Sequence, residues 1–164
     1  MPRRPQIAFF GAVSRLTQWS KYWLPVMAGM VLIFLASSDT ASFQHTSRFV
    51  GPFLRRFFPG LSPEAQHAIL VASRKAAHVT EYALLSMLVW RALRKPVRDE
   101  KRPWDWRLAY RALAIVALYA ATDEFHQKFV PSREGAVVDV LIDVGGGLLG
   151  LFCIWVLGKL RRSW

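Results

Sequence analysis

Three short stretches of the 164-residue chain place ionisable side chains among apolar neighbours. The first holds Lys75, His78, Glu81 and Tyr82. The second holds Asp123, Glu124, His126 and Gln127, and the third Asp139 and Asp143. Imidazoles and carboxylates in apolar surroundings serve as general acids, general bases or nucleophiles, which makes His78, Glu81, Asp123, His126, Asp139 and Asp143 the catalytic candidates. Lys75 and Arg133 are cations suited to gripping phosphate, with Tyr82 and Gln127 as further substrate-binding groups. His78, Glu81, Asp123, His126 and Asp143 also offer the nitrogen and oxygen ligands that zinc or manganese takes. They form no compact motif such as H-E-x-x-H, and Lys75 and Arg133 would repel a cation. The sequence identifies no cofactor.

Helical phase groups these residues. At about 100° per residue, Lys75, His78, Tyr82 and Ser86 form one stripe with Glu81 at its flank. Tyr119, Asp123, His126 and Gln127 share a face, while Glu124 points elsewhere. Asp139 and Asp143 lie one turn apart, on a face with Gly146, Gly147 and Gly150. Those glycines predict close helix approach, with a flexible or broken helix as the alternative.

The elements that must carry these stripes are apolar blocks. The hydrophobic fraction is 53%, yet mean hydropathy is only +0.21, a mixture that suits membrane spans joined by strongly polar loops. The blocks predict an all-α integral membrane bundle of four transmembrane helices at about 22–38, 73–93, 108–130 and 136–160. The first block has a rival reading as a signal peptide, with Ala36-Ser37-Ser38 as the small-residue cleavage site, although the long basic segment before it is unusual for a signal. Ser62-Pro63-Glu64 reads as an N-cap, a proline at the first helical position and an acidic first turn. The second helix is therefore expected to begin before its span. Between the first two spans, Phe49, Phe53, Leu54, Phe57 and Phe58 alternate with Arg48, Arg55 and Arg56. This predicts an amphipathic segment in the outer interface or a loop folded back over the bundle. Cys153 is the single cysteine, so no intrachain disulfide forms.

The net charge of +11 is the kind that nucleic-acid binders show, but the charges avoid the apolar blocks and gather in the connections. That distribution is the signature of membrane topology, and no nucleic-acid partner is expected. Of the 22 lysines and arginines, the N-terminal segment, the second connection and the C-terminal tail carry four, eight and three, against five and two in the other connections. The heavier side belongs in the cytoplasm, which gives an N-in, C-in orientation. Trp104, Trp106 and Tyr110 sit where an aromatic belt belongs, and the basic loop between spans two and three is also a candidate holder of anionic lipid. Alternating helix directions then bring all three polar stretches to the outer face. Asp123 stands roughly 18 Å, and Asp143 roughly 24 Å, above the inner edge of a hydrocarbon layer about 30 Å thick. Ionisable groups at such depth cost a few kcal/mol, so they face partners or water-filled cavities. Interhelical hydrogen bonding alone would explain one such residue. Eight or more at one face point to a binding or catalytic site.

The run Lys75-x-x-His78, Glu81-Tyr82 and Leu84-Leu85, then Asp123-Glu124-Phe125-His126-Gln127-x-Phe129-x-Pro131-x-Arg133, then Asp139, Asp143, Gly146 and Gly150, resembles the VanZ-like family. Ser37-Ser38 fits the same pattern. The family is named for a protein associated with resistance to the glycopeptide teicoplanin. Two positions depart from it: Ser132 stands where a glycine is expected, and Asp143 where many members carry asparagine. The resemblance implies a single VanZ-like transmembrane domain over 1–164 and action at the outer face of the bacterial cytoplasmic membrane. It names no reaction.

Three functions fit these residues. One is an enzyme or head-group binder for an anionic, lipid-linked envelope substrate, which could modulate glycopeptide susceptibility. Another is a metal-dependent membrane hydrolase. The third is a small transporter or partner subunit without chemistry of its own. The bilayer is the common partner.

Overall fold

A computed structural model describes residues 4–37, 50–96, 102–129 and 137–161, with side chains of the first helix described from residue 17. Every regular element among them is helical. Helix α1 spans Arg4–Ser37, a short α2 covers 50–57, α3 spans Pro63–Arg94, α4 Trp106–Gln127 and α5 Val137–Leu160. The α1 helix starts well before the apolar block and runs through Pro25. The α4 helix stops at Gln127, inside the expected limit of 130, with Lys128 as its C-cap.

Local chemistry sets the ends of these helices. The Ser62 hydroxyl accepts from the Ala65 amide at 3.2 Å, and Pro63 follows as the first helical residue. Glu64 is held below the ordinary carboxyl range by its own backbone N–H and by the Ser62 hydroxyl. At the other end of α3, Lys95 takes a left-handed conformation (φ 46°) and donates its amide to Arg91 O before Pro96 ends the run. Asp105 caps α4 by accepting from the amides of Arg107 and Leu108 at 2.8 and 3.3 Å.

The long helices alternate in direction. The end of α1 meets the end of α4 where the Ser37 hydroxyl reaches Asp123. The start of the apolar part of α1 meets the end of α3, where the Tyr22 hydroxyl donates to Pro96 O at 2.9 Å. The closest packing is that of α5 on α3. A Cβ at Gly146 would run into the Val79 carbonyl, and one at Gly150 into the Ala83 carbonyl and the Ser86 hydroxyl. At Gly147 it would press on Val116 of α4 at 3.1 Å. Glycine therefore lets α5 lie against its neighbours almost backbone to backbone, as the spacing of these residues predicts, and α5 runs through them unbroken.

The bundle has an apolar core that includes Val26, Leu85, Val89 and Val116, and polar groups are enclosed beside it. Asp123, Glu124, Gln127 and Asp143 are buried, while Leu118, Phe125, Leu141 and Phe152 stand exposed on the same helices. Among the described residues, two helical segments, Thr17–Ser37 and Val137–Leu160, are long and apolar enough to cross a membrane. Helices α3 and α4 carry the charged stretches, which lower their hydropathy. In α2, Leu54 is buried, whereas Phe53 and Phe57 pair in the open at 4.6 Å beside exposed Arg55 and Arg56. Phe49 and Arg48, part of the same expected amphipathic piece, lie outside the described residues.

Candidate functional site

All three polar stretches lie at one end of the bundle. Its most exposed rung joins Lys75 Nζ to Asp139 Oδ1 at 3.7 Å, with side chains 51% and 40% exposed. One turn deeper, His78 Nδ1 faces Asp143 Oδ1 at 3.6 Å, with exposures of 17% and 3%. That contact is an ion pair when the imidazole is protonated. Both rungs link α3 to α5, because Lys75 and His78 share a stripe and Asp139 and Asp143 are one turn apart.

Asp123 occupies a junction of three helices. Its Oδ1 accepts from the Ser37 hydroxyl of α1 at 2.6 Å. Its Oδ2 accepts from the Tyr82 hydroxyl of α3 at 3.4 Å and from Gln127 Nε2, one turn along α4, at 3.0 Å. Ser37 has one hydroxyl hydrogen and a second acceptor within reach, Phe34 O at 3.2 Å, so the nearer carboxylate takes it. All four side chains are buried, and a carboxylate with three donors is the arrangement that tolerates such burial. Next to it the Tyr119 hydroxyl donates to Met30 O, fixing α4 against α1.

The catalytic and binding candidates therefore divide. Lys75, His78, Asp139 and Asp143 form the α3–α5 ladder, while Tyr82, Asp123 and Gln127 form the junction. Half-buried Glu81 lies within electrostatic reach of Asp143 and Tyr119. His126 turns toward α1, its ring 4.5 Å from that of Phe34 and its Nδ1 buried without a hydrogen-bond partner among the described residues. Arg133 lies outside the described residues. No group of three His, Cys, Asp or Glu side chains among the described residues is placed to hold a metal ion. Within the expected ligand set, Asp123 is already engaged by three donors and His126 packs against Phe34.

Two buried groups exceed what the helical stripes suggest. Ser37 supplies the shortest bond to Asp123, and the sequence marks it only as a hydroxyl closing an apolar block and as part of the Ser37-Ser38 pair that fits the VanZ-like pattern. Glu124 is buried rather than turned away, and it lies within electrostatic reach of Asp143. Helix α4 is flanked by α1 on one side and α3 and α5 on another, so adjacent positions 123 and 124 are both enclosed.

Hydroxyls, one lysine, two imidazoles and a surplus of carboxylates can bind hydroxyl-rich or amine-bearing groups and exchange protons with them. The exposed Lys75 is the group placed to meet an anion. No curated protein and no solved structure matches the chain. The VanZ/LLP1 family profile matches residues 22–158. A match of that length, which takes in the apolar part of α1, the other three long helices and every polar residue described above, makes the chain a member of the VanZ/LLP1 family.

Proposed function

We propose that this VanZ/LLP1-family protein is a four-span protein of the bacterial cytoplasmic membrane that holds an anionic, lipid-linked envelope substrate at its extracytoplasmic end. The observation carrying this reading is the graded ladder from half-exposed Lys75–Asp139, through His78–Asp143, to the buried Asp123 junction. A phosphate would sit at the mouth on Lys75, with Arg133 of the α4–α5 connection as its second cation. The deeper carboxylates and imidazoles would receive hydroxyl or amine groups of the head group, act on them as acid and base, or set specificity. Apolar side chains on the outside of α4 and buried carboxylates within support a helix standing in lipid. The excess of basic residues in the second connection supports a cytoplasmic position for the opposite end.

The test is titration of the protein in nanodiscs with a polyprenyl phosphate. Lys75→Ala should weaken binding by about tenfold or more, the loss expected for one charge-assisted hydrogen bond. Asp139→Asn should strengthen it, because it releases Lys75 from its carboxylate. Unchanged affinity in both variants would sink the proposal. In producing cells, teicoplanin susceptibility should shift with wild-type protein and not with Lys75→Ala at equal membrane level.

A further inference from the structure

At the opposite end of the bundle, a cleft of about 490 Å³ opens between the end of α3 and residues 102–108. Arg94, Arg102 and Arg107 line it, together with Trp104, Trp106 and Asp105. Arg94 is nearly buried, and its position is fixed. Its Nη1 donates to Pro103 O at 3.2 Å and its Nη2 to Arg102 O at 2.6 Å. Its guanidinium lies 5.0 Å from the Trp90 ring centre, and Trp90 stacks on Trp104 at 5.2 Å. Trp106 meets Trp104 edge-on at 5.8 Å. The wall is thus a cation seated on an aromatic pile, with Arg102 and Pro103 pinned to it through their carbonyls.

Among the described lining residues three are arginines and one is an aspartate, and Asp105 caps α4 through the Arg107 and Leu108 amides. Arg107 and Trp106 are exposed, and Tyr110 stands one turn further along α4, also exposed. Exposed indole and phenol rings beside arginines are the composition of a head-group layer, where the ring sits in the interface and the guanidinium meets phosphate in a fork.

We infer that this cleft is a phosphate-binding site, separate from the polar end, that takes the phosphodiester of an anionic phospholipid in the leaflet at the basic end. It does not depend on the substrate proposed for the polar end, since it uses none of those residues. Arg102 and Arg107 provide the charge, Arg94 holds the shape and Trp106 packs against the glycerol and upper acyl region. Under the proposed topology this leaflet is the cytoplasmic one, which is rich in anionic lipid.

The experiment is native mass spectrometry of the full chain released from detergent after titration with dioleoylphosphatidylglycerol or dioleoylphosphatidylcholine. Wild type should retain the anionic lipid with a preference of at least roughly tenfold, within the roughly thirtyfold that two arginines at a membrane surface contribute. The double variant Arg102→Gln/Arg107→Gln should bring that preference down to about twofold or less while circular dichroism stays unchanged. Lys21→Gln and Lys159→Gln, which remove charges outside the cleft, should keep it. Competition by millimolar inorganic phosphate at constant ionic strength distinguishes the sources. No displacement assigns the site to a lipid head group, and full displacement assigns the same phosphate site to a soluble phosphate. Equal retention of the two lipids by wild type would overturn the inference. So would a tenfold preference that survives the double variant, or one that falls equally in Lys159→Gln.

Discussion

Asp123 is a single acceptor shared by three helices, so its loss should be felt as a packing defect as well as a chemical one. Ser37, Tyr82 and Gln127 each donate to it in a buried setting. Asp123→Ala would leave these donors without their acceptor, a loss of about 1–3 kcal/mol of stability after partial rearrangement. Asp123→Asn keeps a carbonyl oxygen for at least one donor and should lose roughly half as much. Thermal unfolding in detergent, followed by helical signal, checks both variants. Equal stability of Asp123→Ala and wild type would mean that the junction contributes nothing to the fold. The His78–Asp143 rung is a different kind of contact. At 3.6 Å it depends on charge, so the aspartate found where many relatives of the resembled family carry asparagine gives position 143 a partner for an imidazolium.

At the scale of the helix, glycines and caps set the architecture. Gly150 faces the backbone of α3, which cannot withdraw, whereas a Cβ at Gly145 would meet nothing within 4 Å. Gly150→Val should destabilise the bundle by about 1–3 kcal/mol through overpacking. Gly145→Ala should be neutral or stabilise it by up to about 1 kcal/mol, because alanine is the better helix former. A chemical or thermal unfolding series on the two variants would show the contrast, and equal effects would deny the close α3–α5 approach. The start of α3 has its own pH dependence. Glu64 is lowered by hydrogen bonds that favour its ionised form. Its contribution is therefore complete above the ordinary carboxyl pKa and is lost as pH falls through the lower folded value. Amide exchange in the first turn of α3, corrected for intrinsic rates, should accelerate across that acid window. Glu64→Gln should abolish the dependence.

For the whole molecule, the decisive quantity is which side of the membrane each end occupies. Under the proposed topology the excess of lysine and arginine puts the second connection in the cytoplasm, and the alternating helices then put the polar end outside. A reporter active only outside the cytoplasm should be silent when fused after Trp164 and active when inserted near Gly60. The opposite pattern would invert the proposed topology and move the Lys75 mouth to the cytoplasmic side. It would leave the internal geometry of the ladder and the junction untouched, since those contacts depend only on how the helices pack.

Much of this arrangement was legible in the residues themselves. Block lengths and the Ser62-Pro63-Glu64 start signal follow from local physics, as does the Gly146/Gly150 spacing, because each depends on neighbours within a few positions. The gathering of Lys75, Asp123 and Asp143 at one end follows from alternating direction alone. Tertiary structure decided the partners. Helical phase assigns a residue to a stripe, but which neighbouring helix that stripe faces depends on how each helix is rotated in the bundle. Hence Asp123 meets Ser37 while Asp143 meets His78, and His126, on the same stripe as Asp123, faces Phe34. Glu124 is enclosed despite its phase because α4 has neighbours on more than one side. The arginine cleft depends on Arg94 reaching two carbonyls eight and nine residues further along the chain, a closure that no periodic pattern encodes.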